Sequence, residues 1–149
     1  MDKQTEWLAA YVEKCMRESW GDEADGLGCF GDMIAFRLGT AACIVRVEAG
    51  DPAMVRVMAK AVLGMRPTAK LLRELNEVNA RSRIANAWWD DGDVVVECSL
   101  FAESVSEHSL DEACGAVAQV ANDIGVGFAA MFDGSTPYPP FASDSEDAA

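Results

Sequence analysis

The sequence predicts an α+β domain of order α-β-β-β-α-β-β-α, with a five-strand, mainly antiparallel sheet packed with helices. Three observations carry that prediction. Between residues 33 and 63, three alternating runs are joined by short connections rich in turn residues, as in an antiparallel meander. Between Ile84 and Phe101, two β-prone runs flank Asp91-Gly92, which tolerates the positive φ of a type I′ hairpin turn. Three other stretches repeat apolar residues at helical spacing.

The first helix is expected over residues 4–20, where Trp7, Leu8, Tyr11, Val12, Cys15 and Met16 make a wide apolar stripe. The polar run 21–26 stops it. Glu18, Asp22, Glu23 and Asp25 cluster there, but without the order of ligands and glycine that an EF-hand needs. In the strand 33–38, Ile34, Phe36 and Leu38 share one face. In 42–48, Cys43, Val45 and Val47 oppose Ile44, Arg46 and Glu48. In 54–63, Val55, Val57, Ala59 and Ala61 oppose Met54, Arg56, Met58 and Lys60.

Pro67 opens the central helix, 68–80, at a turn where its missing N–H costs nothing. Arg81 and Arg83 follow where the helix end carries partial negative charge. Strands are expected over 84–89 and 94–101. Ser109-Leu-Asp-Glu reads as a capping box ahead of the last helix. Leu110, Ala113, Cys114, Val117, Val120, Ala121 and Ile124 form its buried stripe, which continues through Phe132 with a bend expected at Gly125 and Gly127. Residues 1–133 form one domain. Residues 134–149 are Pro-rich and then acidic, and are expected to be a mobile tail.

A formal charge of −13 argues against nucleic acid and anionic membrane surfaces as partners, and suits basic or amphipathic polypeptides. The five cysteines lie far apart without a Cys-x-x-Cys pair, and His108 is the only histidine. Neither a disulfide framework nor a metal site is expected, and no cofactor is implied. Gly26-Leu-Gly-Cys-Phe-Gly loosely resembles a phosphate loop, but a strand follows it where a helix is required. No catalytic arrangement is found, so the chain is not expected to be an enzyme. The N-terminus lacks a signal-peptide layout and no run of about 20 apolar residues exists, so the expected location is the cytoplasm.

The surfaces are more informative. Met33, Met54, Arg56, Met58 and Trp89 are the candidate partner-binding residues, because methionine adapts to varied apolar partners. Adjacent strand residues point to opposite faces, so one of Trp88 and Trp89 is core and the other needs cover. Leu71, Leu72, Leu75 and Val78 on the central helix are the candidate interface of a homodimer.

Residues Leu71-Leu-Arg-Glu-Leu-Asn-Glu-Val-Asn-Ala-Arg-Ser-Arg-Ile-Ala and Trp88-Trp-Asp-Asp-Gly-Asp-Val-Val-Val-Glu resemble actinobacterial members of the YbjN-like family. That family lies within the superfamily of type III secretion chaperone-like proteins. The resemblance is strongest over 67–101, and the element order matches over 4–132. It implies a fold of the predicted order, often dimeric and without a cofactor. It also implies a small acidic protein that holds an unfolded or extended client segment. The leading expectation is therefore a non-enzymatic, chaperone-like binding module for an extended or amphipathic client segment. The alternatives are a regulatory or stress-adaptation adaptor contacting one folded partner, and a small-ligand sensor.

Overall fold

A computed structural model describes residues 2–140. Helix α1 spans Lys3–Trp20 and starts at Asp2, whose carboxylate accepts the Thr5 N–H at 2.7 Å. That bond favours the ionised form and holds the Asp2 carboxyl below its ordinary value. A short 3-10 turn, Gly21–Gly26, leads into six strands: β1 Gly28–Phe30, β2 Met33–Leu38, β3 Ala41–Glu48, β4 Met54–Val62, β5 Asn86–Asp90 and β6 Asp93–Phe101. Helices α2, Ala69–Arg81, and α3, Glu107–Met131, lie after β4 and β6.

All neighbouring strands are antiparallel, in the order β1-β2-β3-β4-β6-β5. The sheet has six strands, where five were expected. Strand β1 has only three residues, too few for a visible alternation. It exists because the two-residue turn Gly31-Asp32 folds Phe30 back onto Met33, with Gly31 at φ 66°.

Two caps sit elsewhere than expected. Thr68 caps α2, so Pro67 precedes the cap. Ser106 caps α3, with Ser109 at its third position closing the box. Helix α3 runs unbroken through Gly125 and Gly127 to Met131. Its length and composition would suit a membrane span, but its apolar stripe is spent on the sheet.

Alternation decides where the core lies. Ile34, Phe36, Cys43, Val45, Val55, Val57, Ala59, Val96 and Cys98 point inward and meet Leu8, Val12 and Met16 of α1 and Leu110, Val117 and Ala121 of α3. Close packing is fixed at the Gly39-Thr40 turn. Asn122 of α3 accepts the Thr40 N–H at 2.9 Å and donates to Leu38 O at 3.0 Å. Gly39 has φ 63°, and a Cβ there would lie 2.0 Å from Asn122 Oδ1, so any other residue would be strained and would displace the Asn122 carboxamide.

Of the segment expected to be mobile, residues 134–140 lie against the fold. Leu63 and Ser135 exchange both backbone hydrogen bonds, at 2.7 and 3.0 Å. The Tyr138 N–H reaches Thr40 O at 3.1 Å, and the Arg37 guanidinium stacks 4.5 Å above the Tyr138 ring and donates to Pro139 O. Gly134 makes the approach possible, since a Cβ there would lie 2.6 Å from Met65 Sδ. The rest of that segment, 141–149, lies outside the described residues.

Candidate functional site

Every strand sends its remaining side chains to a second face, and no helix packs its apolar stripe there among the described residues. The register places Phe30 opposite Met33, Ile44 opposite Met58, and Trp88 opposite Val95. These pairs are offset by two residues from one strand pair to the next. They therefore form one diagonal apolar band to which each of the six strands gives one residue. Val95 is buried outside the main core, between Trp88 and the stem of Lys60. Phe30 at the other end is 63% exposed.

Cations flank the band. Arg46 and Arg56 are opposite one another on one side, and Arg37 and Lys60 lie on the other. Arg56 sits between two carboxylates, 3.3 Å from Glu48 and 3.2 Å from Glu97. Neither distance has hydrogen-bond geometry, so Arg56 Nε and Glu97 Oε2 are buried atoms without a hydrogen-bond partner among the described residues. Lys60 pairs with Asp93 at 2.9 Å. Arg46 differs. Its guanidinium meets the Met33 sulfur at 3.7 Å, and no carboxylate lies within 4.0 Å among the described residues.

The expected partner-binding residues are thus partly brought together. Met33, Met54, Arg56 and Met58 all share the bare face. Trp89 does not: its ring packs against the core, and its indole N–H donates to Met65 O at 2.9 Å. Trp88 takes the outward position. Which tryptophan turns inward depends on the partner that Met65 offers, 24 residues away in sequence, and local alternation cannot specify it. Arg46 lies on the expected outer face but is not singled out by the sequence, because nothing in its own strand distinguishes it from Arg56. Only the neighbouring strands show which arginine is neutralised.

The residues expected to form a dimer stripe lie mostly inside this chain. Leu71, Leu75 and Val78 are core residues of this chain, and Leu72 alone is exposed, at 49%. Helix α2 packs on the edge strand β5, where the Asn79 carboxamide accepts the Ala87 N–H at 2.8 Å and donates to Ala87 O at 2.9 Å. In this hairpin register the Ala87 backbone groups point away from β6. Asn79 therefore takes the place of a neighbouring strand and blunts that edge.

Other concavities lie on the helical side. One, of about 330 Å³, is lined by Trp7, Leu8, Tyr11, Ala53 and Val105. Another groups Ser19, His108 and Asp111. Ser19 Oγ donates to Asp111 at 2.9 Å, so the hydroxyl serves the carboxylate and not a histidine base, which is not the geometry of a nucleophile triad. Burial pushes the buried thiols of Cys43 and Cys114 up, to about 11 and about 12, where they are poor nucleophiles.

The model of the type III secretion (YopN, CesT) and YbjN peptide-binding chaperone 1 family matches residues 6–140. The chain belongs to this family. No curated protein matches it significantly. Its fold is similar to chains in solved structures of two complexes. In the HopA1-SchA chaperone-effector complex, the TM-score is 0.62 at 9% identity, covering 83% of this chain and 96% of the other. In the ExsC-ExsE complex, the TM-score is 0.54 at 12% identity, covering 78% and 92%. YbjN from E. coli aligns at TM-score 0.47 and 19% identity, covering 76% and 91%. The first two likenesses show a shared fold.

Proposed function

We propose that this peptide-binding chaperone family member is a non-enzymatic module that holds an extended or amphipathic client segment on its bare sheet face. The observation that carries the reading is the apolar band Phe30–Met33–Ile44–Met58–Val95–Trp88, uncovered by any helix and crossing every strand. A client's apolar side chains would bury on it. Met33 and Met58 can repack to suit different side chains, which favours tolerance over strict specificity. Arg46, held beside an apolar surface and without a carboxylate of its own, is available to a client carboxylate or carbonyl. Docking across the face suits the fold better than strand addition at β5, because Asn79 already satisfies the exposed groups of Ala87. The opposite edge, β1, offers only three residues.

Titrating a panel of amphipathic peptides while following tryptophan fluorescence tests the proposal, with Trp88→Phe identifying the reporter. Saturable binding that is lost in Met58→Asp and weakened in Arg46→Glu is the expected result. A broad panel that gives no response, or binding indifferent to both substitutions, would sink it.

A further inference from the structure

Residues 135–140, Ser-Thr-Pro-Tyr-Pro-Pro, lead from the helical side of the sheet to the bare face. At their start Thr136 lies against α3, since a Cβ on Gly125 would stand 3.5 Å from Thr136 Cγ2. Ser135 exchanges backbone hydrogen bonds with Leu63, the residue after β4. The Tyr138 N–H then reaches Thr40 O at the β2–β3 turn. Beyond that turn lies Arg37, whose Nη2 donates to Pro139 O at 3.0 Å and whose guanidinium stands 4.5 Å above the Tyr138 ring. Arg37 alternates with buried Ile34 and Phe36 on β2, so it belongs to the bare face with Met33. It pairs with Ala42, which makes Ile44 of the apolar band its diagonal neighbour, about 7–8 Å away and within reach of a long side chain. Arg46 stands on the other side of Ile44.

This strap is lightly held. Pro137, Pro139 and Pro140 have no N–H, so it cannot zip along a strand as a ladder. Ser135 and Tyr138 supply the backbone donors that fasten it, and Tyr138, Pro139 and Pro140 are exposed. Few buried contacts and exposed hydrogen bonds put a segment at the low end of local stability. The turn beneath it is fixed independently, because Asn122 bonds the Thr40 N–H and Leu38 O. Arg37 is likewise steadied by donating from Nε to Gly39 O at 2.8 Å. Lifting the strap therefore leaves the turn and the arginine in place.

We propose that residues 135–140 are an autoinhibitory strap, which occupies the Arg37 corner of the bare face and is displaced when a client segment docks on the apolar band. The inference rests on the client reading above. A client carboxylate or carbonyl takes the Nη2 that Pro139 O holds, and a client side chain takes the guanidinium face that Tyr138 covers. Being part of the same chain, the strap competes at a high effective concentration although its contacts are few. A segment that offers only a carbonyl to Arg37 leaves it in place. A segment that also fills the band displaces it, so the strap sets a threshold for docking.

The test uses the full chain and a fluorescein-labelled 16-residue peptide of repeating Leu-Glu-Leu-Lys, followed by anisotropy and, in the saturated complex, by hydrogen exchange. Tyr138→Ala should tighten binding about two- to fivefold, the worth of an exposed cation–π contact. Adding Tyr138→Ala to Arg37→Gln should gain nothing, because the contested group is already gone. Bound peptide should speed exchange of the Ser135 and Tyr138 amides and leave the Thr40 amide, held by Asn122, protected. Three results would each overturn the strap while leaving the client reading standing: equal binding by the unaltered chain and Tyr138→Ala, the same gain with Arg37→Gln in place, or unchanged exchange of the strap amides. No saturable binding by any of these proteins, or binding that survives Met58→Asp, would sink the client reading and the strap with it.

Discussion

Val57 and Met58 are neighbours on β4, and they differ in what surrounds them more than in how apolar they are. Val57 points into a layer sealed by α1 and α3 and is 1% exposed. Met58 points to a face with no helix over it, between Ile44 and Glu97. Both faces of the sheet carry apolar residues across several strands. On the inner face they are mainly valine, alanine and cysteine, which pack closely under helices. On the outer face they are methionine, isoleucine, phenylalanine and tryptophan, set among arginines. The helices close one face, and the other keeps side chains suited to a surface that is covered only on contact.

The contrast can be broken most severely at its centre. Val57→Asp buries an unpaired charge and should cost more than about 4 kcal/mol, whereas Met58→Asp should stay within about 1 kcal/mol, both read from urea unfolding. Equal losses would mean that the outer face is also structural core.

A smaller effect is expected where the inner layer is tied to the strand turn. Asn122→Ala leaves the Thr40 N–H and Leu38 C=O without their partner and should cost about 1–3 kcal/mol. A loss below about 0.5 kcal/mol would show that the helix holds this turn by packing alone.

The smallest effect at neutral pH belongs to the buried thiols. Cys43 and Cys114 are raised by burial from 9.0 to about 11 and about 12. The folded state therefore keeps protons that the unfolded state releases. The stability this linkage contributes is fully present below pH 9 and is lost as pH rises toward 11–12. Cys43→Ala/Cys114→Ala should flatten that alkaline decline in pH-dependent unfolding. An unchanged slope would assign the decline to other groups.

Much of the sheet was legible because its pattern is local. Alternation in 33–63 and the Asp91-Gly92 turn gave the meander and the hairpin, since a strand's two faces follow directly from every second residue. The helices were legible from their period, although caps drifted by a few residues because several serines and threonines compete for each start. Strand β1 was too short to alternate visibly. The stripe on α2 was legible as apolar, but not that Leu71, Leu75 and Val78 are buried within the chain itself, because periodicity reports that a face is apolar and not what covers it. The same limit separated Trp89 from the bare face and hid the difference between Arg46 and Arg56.

By itself, the sequence determined the element types and the antiparallel connections between the strands. These depend on spacing and composition along one stretch of chain. Tertiary structure alone decided which face α1 and α3 close, which tryptophan is core, that Arg56 and not Arg46 meets a carboxylate among the described residues, that Asn79 blunts the β5 edge, and that residues 134–140 lie against the fold. Each of those outcomes depends on a contact between residues far apart in sequence, whose position is fixed only when the sheet register is set.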